Sequence, residues 1–205
     1  WRFVGDRLQL LLIRHALPLT GTDPALSPLG HEMAARLPAA LSRHTITRVI
    51  TSPQARACQP AQPLAAALGL PVDVDERFAE YDYGLPGYLP IEQMRVQDPE
   101  GWARLLRGEL PDGVDVDAFR HRVTSAADDL SSTAGKKDVI ALVCHGGVIG
   151  ILLQRALDTP GWAGTFLIDY VSITHLEASR DGRSKVLGVN NIEHVWSLLS
   201  RSTKD

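Results

Sequence analysis

The chain has 205 residues, a formal net charge of -3 and a 44% share of hydrophobic residues. That length suits one domain with a sizeable core over residues 1–205, and the mild acidity predicts neither nucleic acid nor a membrane as partner. No apolar run reaches the roughly 18 residues of a membrane-spanning helix. The two cysteines, Cys58 and Cys144, are far apart in apolar surroundings, which favours reduced thiols in a cytoplasmic protein over a disulfide or a metal pair.

Short aliphatic runs alternate with helical patterns from the start of the chain. Residues 8–15 are typical of a buried strand. Ser27 followed by Pro28 predicts the start of a helix, and Pro38 is expected to kink or interrupt it. A second strand is predicted over 46–52.

Ser52 and Pro53 predict the start of the next helix, and Gly69 predicts its end. A short strand is expected at 71–75. Residues 76–113 are rich in Gly and Pro, so they predict an irregular segment, long enough to be a lid or an insertion.

The second half of the chain repeats the alternation. Asp115 is expected to cap a helix, and a third aliphatic strand over 138–145 leads into a buried helix over 146–157. Residues 165–178 and 184–190 are typical of a final hairpin. The alternation predicts an α/β fold: a three-layer α/β/α sandwich with a mainly parallel central sheet.

Two of the predicted strands end in the same way. Arg14 and His15 end the first strand, His145 ends the third, and Arg56 falls in the first turn of the helix after the second strand. Ligands of open α/β sheets bind beyond the carboxyl ends of the strands, where helix starts offer free N–H groups. The pattern indicates an anion site, with phosphate favoured. Taken singly, a strand-end histidine is more often structural, and Arg14 could pair with a surface acid.

Two groupings have the residue types of metal sites. His15, His145 and Glu80 match a two-histidine, one-carboxylate iron site, but two arginines at the same place would repel a dication. We therefore expect no metal. A second string is interpreted as a polar strand face: His175, Glu177 and His194.

Five motifs lie in order along the chain. They are "RHA" at 14–16, "LSPLGHEMA" at 26–34, "TSPQARACQPA" at 51–61, "EYDYG" at 80–84 and "VCHGGVI" at 143–149. Together they resemble the histidine phosphatase superfamily, in its phosphoglycerate-mutase-like branch. The resemblance implies a metal-independent phosphomonoesterase without a cofactor, which forms a phosphohistidine intermediate with a small phosphorylated substrate.

The resemblance also implies a role for each residue of the anion site. His15 is the nucleophile, and neighbouring positive charges keep its imidazole neutral. Arg14 and Arg56 hold the phosphoryl oxygens, and His145 is a further donor to them. Glu80 is the proton donor to the leaving oxygen.

The segment around Glu80 leaves alternatives open. Glu80 could instead be a solvated loop carboxylate, with Asp82 as the substitute acid. The tyrosines nearby either line the substrate pocket or fix the loop to the core: Tyr81, Tyr83 and Tyr88.

Departures from the family pattern bear on substrate and activity. Ala16 replaces the glycine of "RHG", which would be strained if the position requires a positive φ. A phosphoglycerate mutase is the first alternative function, because 77–113 holds four basic residues that could bind a substrate: Arg77, Arg95, Arg104 and Arg107. A non-catalytic phosphate-binding module is the second. Phosphate or similar anions are the expected site ligands, and a homodimer is compatible with the sequence.

Overall fold

A six-stranded sheet forms the centre of the described part of the chain. The structure is a computed structural model that describes residues 8–87, 89–107, 109–135, 137–159, 166–178 and 184–202. The strands are β1 (Leu8–Arg14), β2 (Arg48–Thr51), β3 (Val72–Val74), β4 (Val139–Cys144), β5 (Ile173–Ala178) and β6 (Ser184–Asn191). Their order across the sheet is β3-β2-β4-β1-β5-β6.

The direction of the strands changes only at the end of the sheet. β1 pairs in parallel with β4, β4 with β2 and β2 with β3. β5 runs antiparallel to β1, and β6 antiparallel to β5, as the expected hairpin requires. The prediction of a mainly parallel sheet is therefore confirmed, and the carboxyl ends of β1, β2 and β4 lie at one edge.

Helices cover both faces of this sheet. They are α1 (Pro28–Ala34), α2 (Leu37–Ala40), α3 (Ala55–Leu68), α4 (Ile91–Gln97), α5 (Pro99–Leu106), α6 (Val116–Thr133), α7 (Gly146–Leu157) and α8 (Trp196–Ser202). No helix of the described ranges has the length and apolarity needed to cross a membrane.

Alternate residues of β1 supply two separate cores. Leu10 and Leu12 pack with α6 and α7, whereas Leu11 and Ile13 pack with α1, α2, α3 and α8. This follows from the two-residue period of a strand, which sends successive side chains to opposite faces. The predicted three-layer sandwich is confirmed.

Most predicted helix ends are confirmed, and one is wrong. Ser27 caps α1 by accepting from Gly30 N at 3.0 Å, and Gly69 ends α3 with a φ of 65°. The start of α3 lies further along the chain than the expected Ser52–Pro53. The helix begins at Ala55, and Gln54 is its N-cap residue.

The reason is that other side chains take over the capping. Ser52 Oγ lies 2.7 Å from His145 Nε2, and the exposed N–H of Ala55 donates instead to Asp23 Oδ1 at 2.8 Å. The expected interruption is present: α1 and α2 are separated at Ala35 and Arg36, and Pro38 lies in the first turn of α2. Asp115 caps α6 by accepting from Ala118 N at 2.9 Å.

Residues 76–113 contain more regular structure than predicted. A 3-10 turn at Glu76–Phe78 precedes α4 and α5. Proline begins α5, and Asp98 caps it by accepting from Gly101 N at 2.9 Å. Pro90 and Pro99 therefore mark helix starts, although prolines in this segment were expected to indicate irregular chain. The single domain and the lid or insertion stay predictions.

Candidate active site

The ends of β1 and β4 bring two histidines together. Arg14 is paired with Cys144 in the parallel register, and His15 N donates to Cys144 O at 2.8 Å. The next residue of each strand is a buried histidine, and the ring centroids of His15 and His145 lie 5.2 Å apart. The convergence expected from the two strand ends is present.

A backbone hydrogen bond sets the tautomer of His15. Its Nδ1 lies 2.8 Å from Ala16 O, and a carbonyl oxygen can only accept, so Nδ1 carries the proton. Burial first, then the charges of Arg14 and Arg56, hold the pKa of His15 well below its ordinary value. The neutral ring therefore has its lone pair on Nε2.

Ala16 adopts an ordinary backbone conformation. The non-glycine residues with positive φ among the described residues do not include it: they are Asp23, Asp158, Val171 and Asn190. Its methyl group is fully buried in the core beneath α1 and α3. The substitution of glycine by alanine therefore introduces no backbone strain beside His15.

Arg14 is held by a turn at Tyr170 and Val171, where the sequence predicted a strand. Its Nη1 donates to Ile168 O at 2.6 Å, and its guanidinium carbon lies 3.9 Å from the ring centroid of Tyr170. The ring centroids of Tyr170 and His15 lie 5.5 Å apart. Val171 has a φ of 58°, an outlier for a β-branched residue, and its N–H donates to the carbonyls of Arg14 and His15. The aliphatic pattern around Tyr170 gave no signal of this turn.

Arg56, in the first turn of α3, forms a salt bridge with Asp82. Its Nη2 donates to both carboxylate oxygens of Asp82, at 2.7 and 2.8 Å, and the Arg56 side chain is 1% exposed. Asp82 therefore neutralises part of the positive charge of Arg56. This pairing favours Glu80 over Asp82 as the acid.

Glu80 is buried, so its interpretation as a solvated loop carboxylate is wrong. Its Oε2 accepts from Gly147 N at 2.8 Å, and its Oε1 accepts from Tyr81 N at 3.1 Å. Burial first, and then the charge of Asp82, raise the pKa of Glu80 to about 7. A Cβ on Gly147 would lie 2.4 Å from Glu80 Oε1, so the second glycine of "HGG" is needed for this close approach.

His145 is the N-cap residue of α7, and one of its ring nitrogens is within hydrogen-bond distance of Ser52. Its Nε2 lies 2.7 Å from Ser52 Oγ, while its buried Nδ1 has no hydrogen-bond partner within the described residues. Burial, followed by the charges of Arg56 and Arg14, holds its pKa well below the ordinary value. When the Ser52 hydroxyl donates to Nε2, Nδ1–H is available to an anion.

The three tyrosines have different surroundings. Tyr81 contacts Phe119 edge-on, at 6.3 Å between ring centroids, and so fixes the loop to the core. Tyr83 is half-exposed and lines a cavity of about 270 Å³ that also includes Arg56 and Asp82. Tyr88 lies outside the described residues.

Two residues of the "TSPQAR" motif, Ser52 and Gln54, were missed as site residues. Both are buried and lie between His145, Glu80 and Asp82. The motif signalled a helix start, and that interpretation hid the contacts of the two polar side chains.

The predicted polar strand face is only partly right: His175 and Glu177 lie on β5, whereas His194 lies in a 3-10 turn that follows β6. His175 Nε2 lies 3.1 Å from Gln9 Oε1, and Lys185 Nζ lies 3.7 Å from Glu177 Oε1. Within the described ranges, no group of three His, Cys, Asp or Glu residues is arranged to hold a metal ion.

We refer to Arg14, His15, Arg56, Glu80 and His145 as the strand-end cluster. It combines two guanidinium groups, two neutral imidazoles and a carboxyl group whose pKa is about 7. Such a set can bind a tetrahedral oxyanion, attack it through an unprotonated nitrogen and move a proton near neutral pH.

Solved structures with the same architecture include known phosphatases. The mycobacterial glucosyl-3-phosphoglycerate phosphatase superposes with a TM-score of 0.73 at 25% identity, over 90% of this chain and 99% of its own. A phosphoserine phosphatase from Entamoeba histolytica shares the fold with a TM-score of 0.72 at 21% identity, over 92% of this chain and 99% of its own.

Sequence comparison gives the family. A probable phosphoglycerate mutase, GpmB, from Yersinia enterocolitica is 29% identical over 166 residues, which are 75% of this chain and 76% of that protein. The family model of the histidine phosphatase superfamily, branch 1, matches residues 10–192. Since this match spans most of the sequence and all the residues of the strand-end cluster, the chain belongs to the histidine phosphatase superfamily, branch 1.

Proposed function

We propose that this protein is a metal-independent phosphomonoesterase that works through a phosphohistidine at His15. The observation that carries the proposal is the state of His15. Its Nδ1–H is tied to Ala16 O, its ring is neutral, and the charges of Arg14 and Arg56 act directly on it. These features favour an Nε2 lone pair aimed at an anion held by two arginines.

The proposed first step transfers the phosphoryl group to the enzyme. Nε2 of His15 attacks phosphorus, the bond to the ester oxygen breaks, and Glu80 gives its proton to the leaving alcohol. The pKa of about 7 supports this role, because the carboxyl group is substantially protonated near neutral pH. Arg14, Arg56 and His145 Nδ1–H hold the three other phosphoryl oxygens.

The proposed second step regenerates the enzyme. Glu80, now a carboxylate, takes a proton from water, the water oxygen bonds to phosphorus, and the N–P bond breaks. His15 recovers its lone pair, and inorganic phosphate leaves. Both steps are balanced without a metal ion or cofactor.

A phosphoglycerate mutase is the second candidate, favoured by the sequence relatives that are described as probable phosphoglycerate mutases. The structure gives this candidate less support. Arg77 is paired with Asp75 and Asp129, and Glu109 accepts from Arg107. Arg104 likewise contacts Glu109 and Asp112. Three of the four basic residues that could bind a second anion are thus engaged by neighbouring carboxylates.

The substrate is proposed to be a small phosphate monoester, in line with the named substrates of the solved neighbours. The free cysteines, Cys58 and Cys144, support the cytoplasm as the location. The proposed tyrosine of the substrate pocket is Tyr83, because it shares a cavity with Arg56.

The deciding experiment measures hydrolysis of nitrophenyl phosphate with and without a chelator, in the wild type and in His15→Ala. We expect activity that persists with chelator and disappears in the variant. Conversion of 3-phosphoglycerate without release of phosphate would instead establish the mutase, and full activity of His15→Ala would refute the nucleophile.

A further inference from the structure

Gln54 occupies a place that neither its motif nor its residue type would suggest. It precedes the first turn of α3, its side chain is 2% exposed, and it faces the loop that carries the proposed acid. Its Oε1 accepts from Glu80 N at 2.8 Å, and its Nε2 donates to Asp82 Oδ1 at 2.9 Å. One amide group thus binds two residues of that loop.

These bonds extend to the phosphate-binding side of the site. The carboxylate of Asp82 that accepts from Gln54 also accepts both bonds from Arg56 Nη2. The backbone N–H of Gln54 donates to Ser52 Oγ at 3.3 Å, and that oxygen lies 2.7 Å from His145 Nε2. Gln54 is therefore the common neighbour of segments that carry an acid, a guanidinium and a histidine.

The polarity of the amide matters at this position. The oxygen must face a backbone N–H, and the nitrogen must face a carboxylate, so each end meets the partner type it requires. A carboxylate at position 54 could still accept from Glu80 N but would oppose the charge of Asp82. An apolar side chain would lose both bonds.

We infer that Gln54 is a positioning residue for the proposed phosphoryl transfer. Its amide fixes the distance between the acid loop and the start of α3, so Glu80 reaches the leaving oxygen while Arg56 holds the phosphoryl group. The inference rests on the proposed function and assigns no chemical step to Gln54 itself.

A purely structural glutamine would have a different signature. Loss of its hydrogen bonds would lower the folded fraction and reduce the hydrolysis of all substrates by the same factor. Misplacement of Glu80 acts only where the leaving group needs a proton. The ratio of kcat/KM for an alkyl ester to that for an aryl ester separates the two, because it does not depend on the active fraction.

The first test compares Gln54→Leu with the wild type on glycerol phosphate and nitrophenyl phosphate. We expect kcat/KM to fall by about 30-fold for the alkyl ester and by about 3-fold for the aryl ester. Gln154→Leu is the matched control: Gln154 is 3% exposed on α7, and its Oε1 accepts from Arg120 Nη1 at 3.2 Å. The control should leave the ratio of the two esters unchanged.

The second test uses Gln54→Glu, which keeps the shape of the side chain. Its carboxyl group can donate to Asp82 only when protonated. The alkyl-ester activity of this variant, relative to the wild type, should therefore recover as the pH is lowered from about 8 to about 5.

Three outcomes would count against the inference. If Gln54→Leu leaves the ratio of kcat/KM for the two esters unchanged while hydrolysis still depends on His15, the positioning role is refuted and the proposed function stands. A ratio that shifts equally in Gln154→Leu also refutes it, because the effect is then not specific to this contact. If the wild type shows no His15-dependent hydrolysis of either ester, the proposed function fails, and this inference fails with it.

Discussion

The molecule has two clusters of histidines, and they differ in what surrounds the rings. In the strand-end cluster, His15 and His145 meet two arginines, a helix start and a buried carboxyl group. The second cluster lines a groove of about 450 Å³ between the end of α2 and the final hairpin; we call it the hairpin cluster: His44, His175 and His194.

Burial lowers the pKa of histidines in both clusters, so a depressed pKa does not distinguish them. In the hairpin cluster, Arg43 is exposed and contacts His44, and the Nε2 atom of His175 is within hydrogen-bond distance of Gln9 Oε1. The two clusters therefore differ in their guanidinium groups: two converge on the histidines at the parallel strand ends, which supports the proposed anion site, whereas one exposed arginine lies beside the hairpin cluster.

The largest expected effect comes from exchanging one histidine in each cluster. His15→Ala should reduce kcat/KM for nitrophenyl phosphate by about 10³-fold or more, because the attacking nitrogen is lost. His175→Ala also removes an imidazole ring, which is half-buried, and its kcat/KM should remain within about twofold of the wild-type value. Comparable losses in the two variants would break the distinction between the clusters.

The next effect concerns Glu80, the buried carboxyl group of the strand-end cluster. Glu80→Gln should lower kcat/KM by about 10²-fold for glycerol phosphate and by less for nitrophenyl phosphate, since the better leaving group needs less protonation. Steady-state kinetics on the two esters measures this.

The pH profile of kcat/KM gives an independent check on Glu80. In the proposed first step Glu80 is protonated, so kcat/KM for the alkyl ester should fall as the pH rises through about 7. His15, whose pKa is depressed, should remain neutral on the acid side of that limb. A wild-type profile that stays flat through this range, or an identical limb in Glu80→Gln, would exclude Glu80 as the acid.

A smaller effect separates the two glycines at the start of α7. A methyl group at Gly147 would collide with Glu80 Oε1, whereas one at Gly146 would lie 3.9 Å from Arg14 Nε, an ordinary contact. Gly147→Ala should therefore reduce alkyl-ester hydrolysis by about tenfold, and Gly146→Ala by less than about twofold. Equal effects of these variants would show that the close approach of Glu80 is unimportant.

The smallest effect comes from the partner of Arg56. Asp82→Asn removes a charge that raises the pKa of Glu80, so the alkaline limb should move to lower pH. It also leaves Arg56 with more positive charge for anions, and inorganic phosphate should inhibit about threefold more strongly. Asp129→Asn, which changes an exposed arginine pair, is the control and should alter neither quantity.

The sequence predicted the positions of the strand ends well, because aliphatic runs and capping residues are local signals. The expectation of a parallel sheet was enough to place Arg14, His15 and His145 at one edge. The burial of Glu80 and the salt bridge between Arg56 and Asp82 were not predictable in this way, because both depend on contacts between residues far apart in the chain. Local patterns identified the groups, and tertiary contacts decided their ionisation.

Trapping the phosphoenzyme tests the central claim most directly. The wild type and His15→Ala are mixed with a phosphate ester, quenched within the first turnovers under alkaline conditions, and digested for mass spectrometry. We predict a phosphoryl group on the peptide that contains His15 and none on the peptide that contains His175. Hydrolysis with a phosphoryl group on another residue, or with full activity in His15→Ala, would contradict the account.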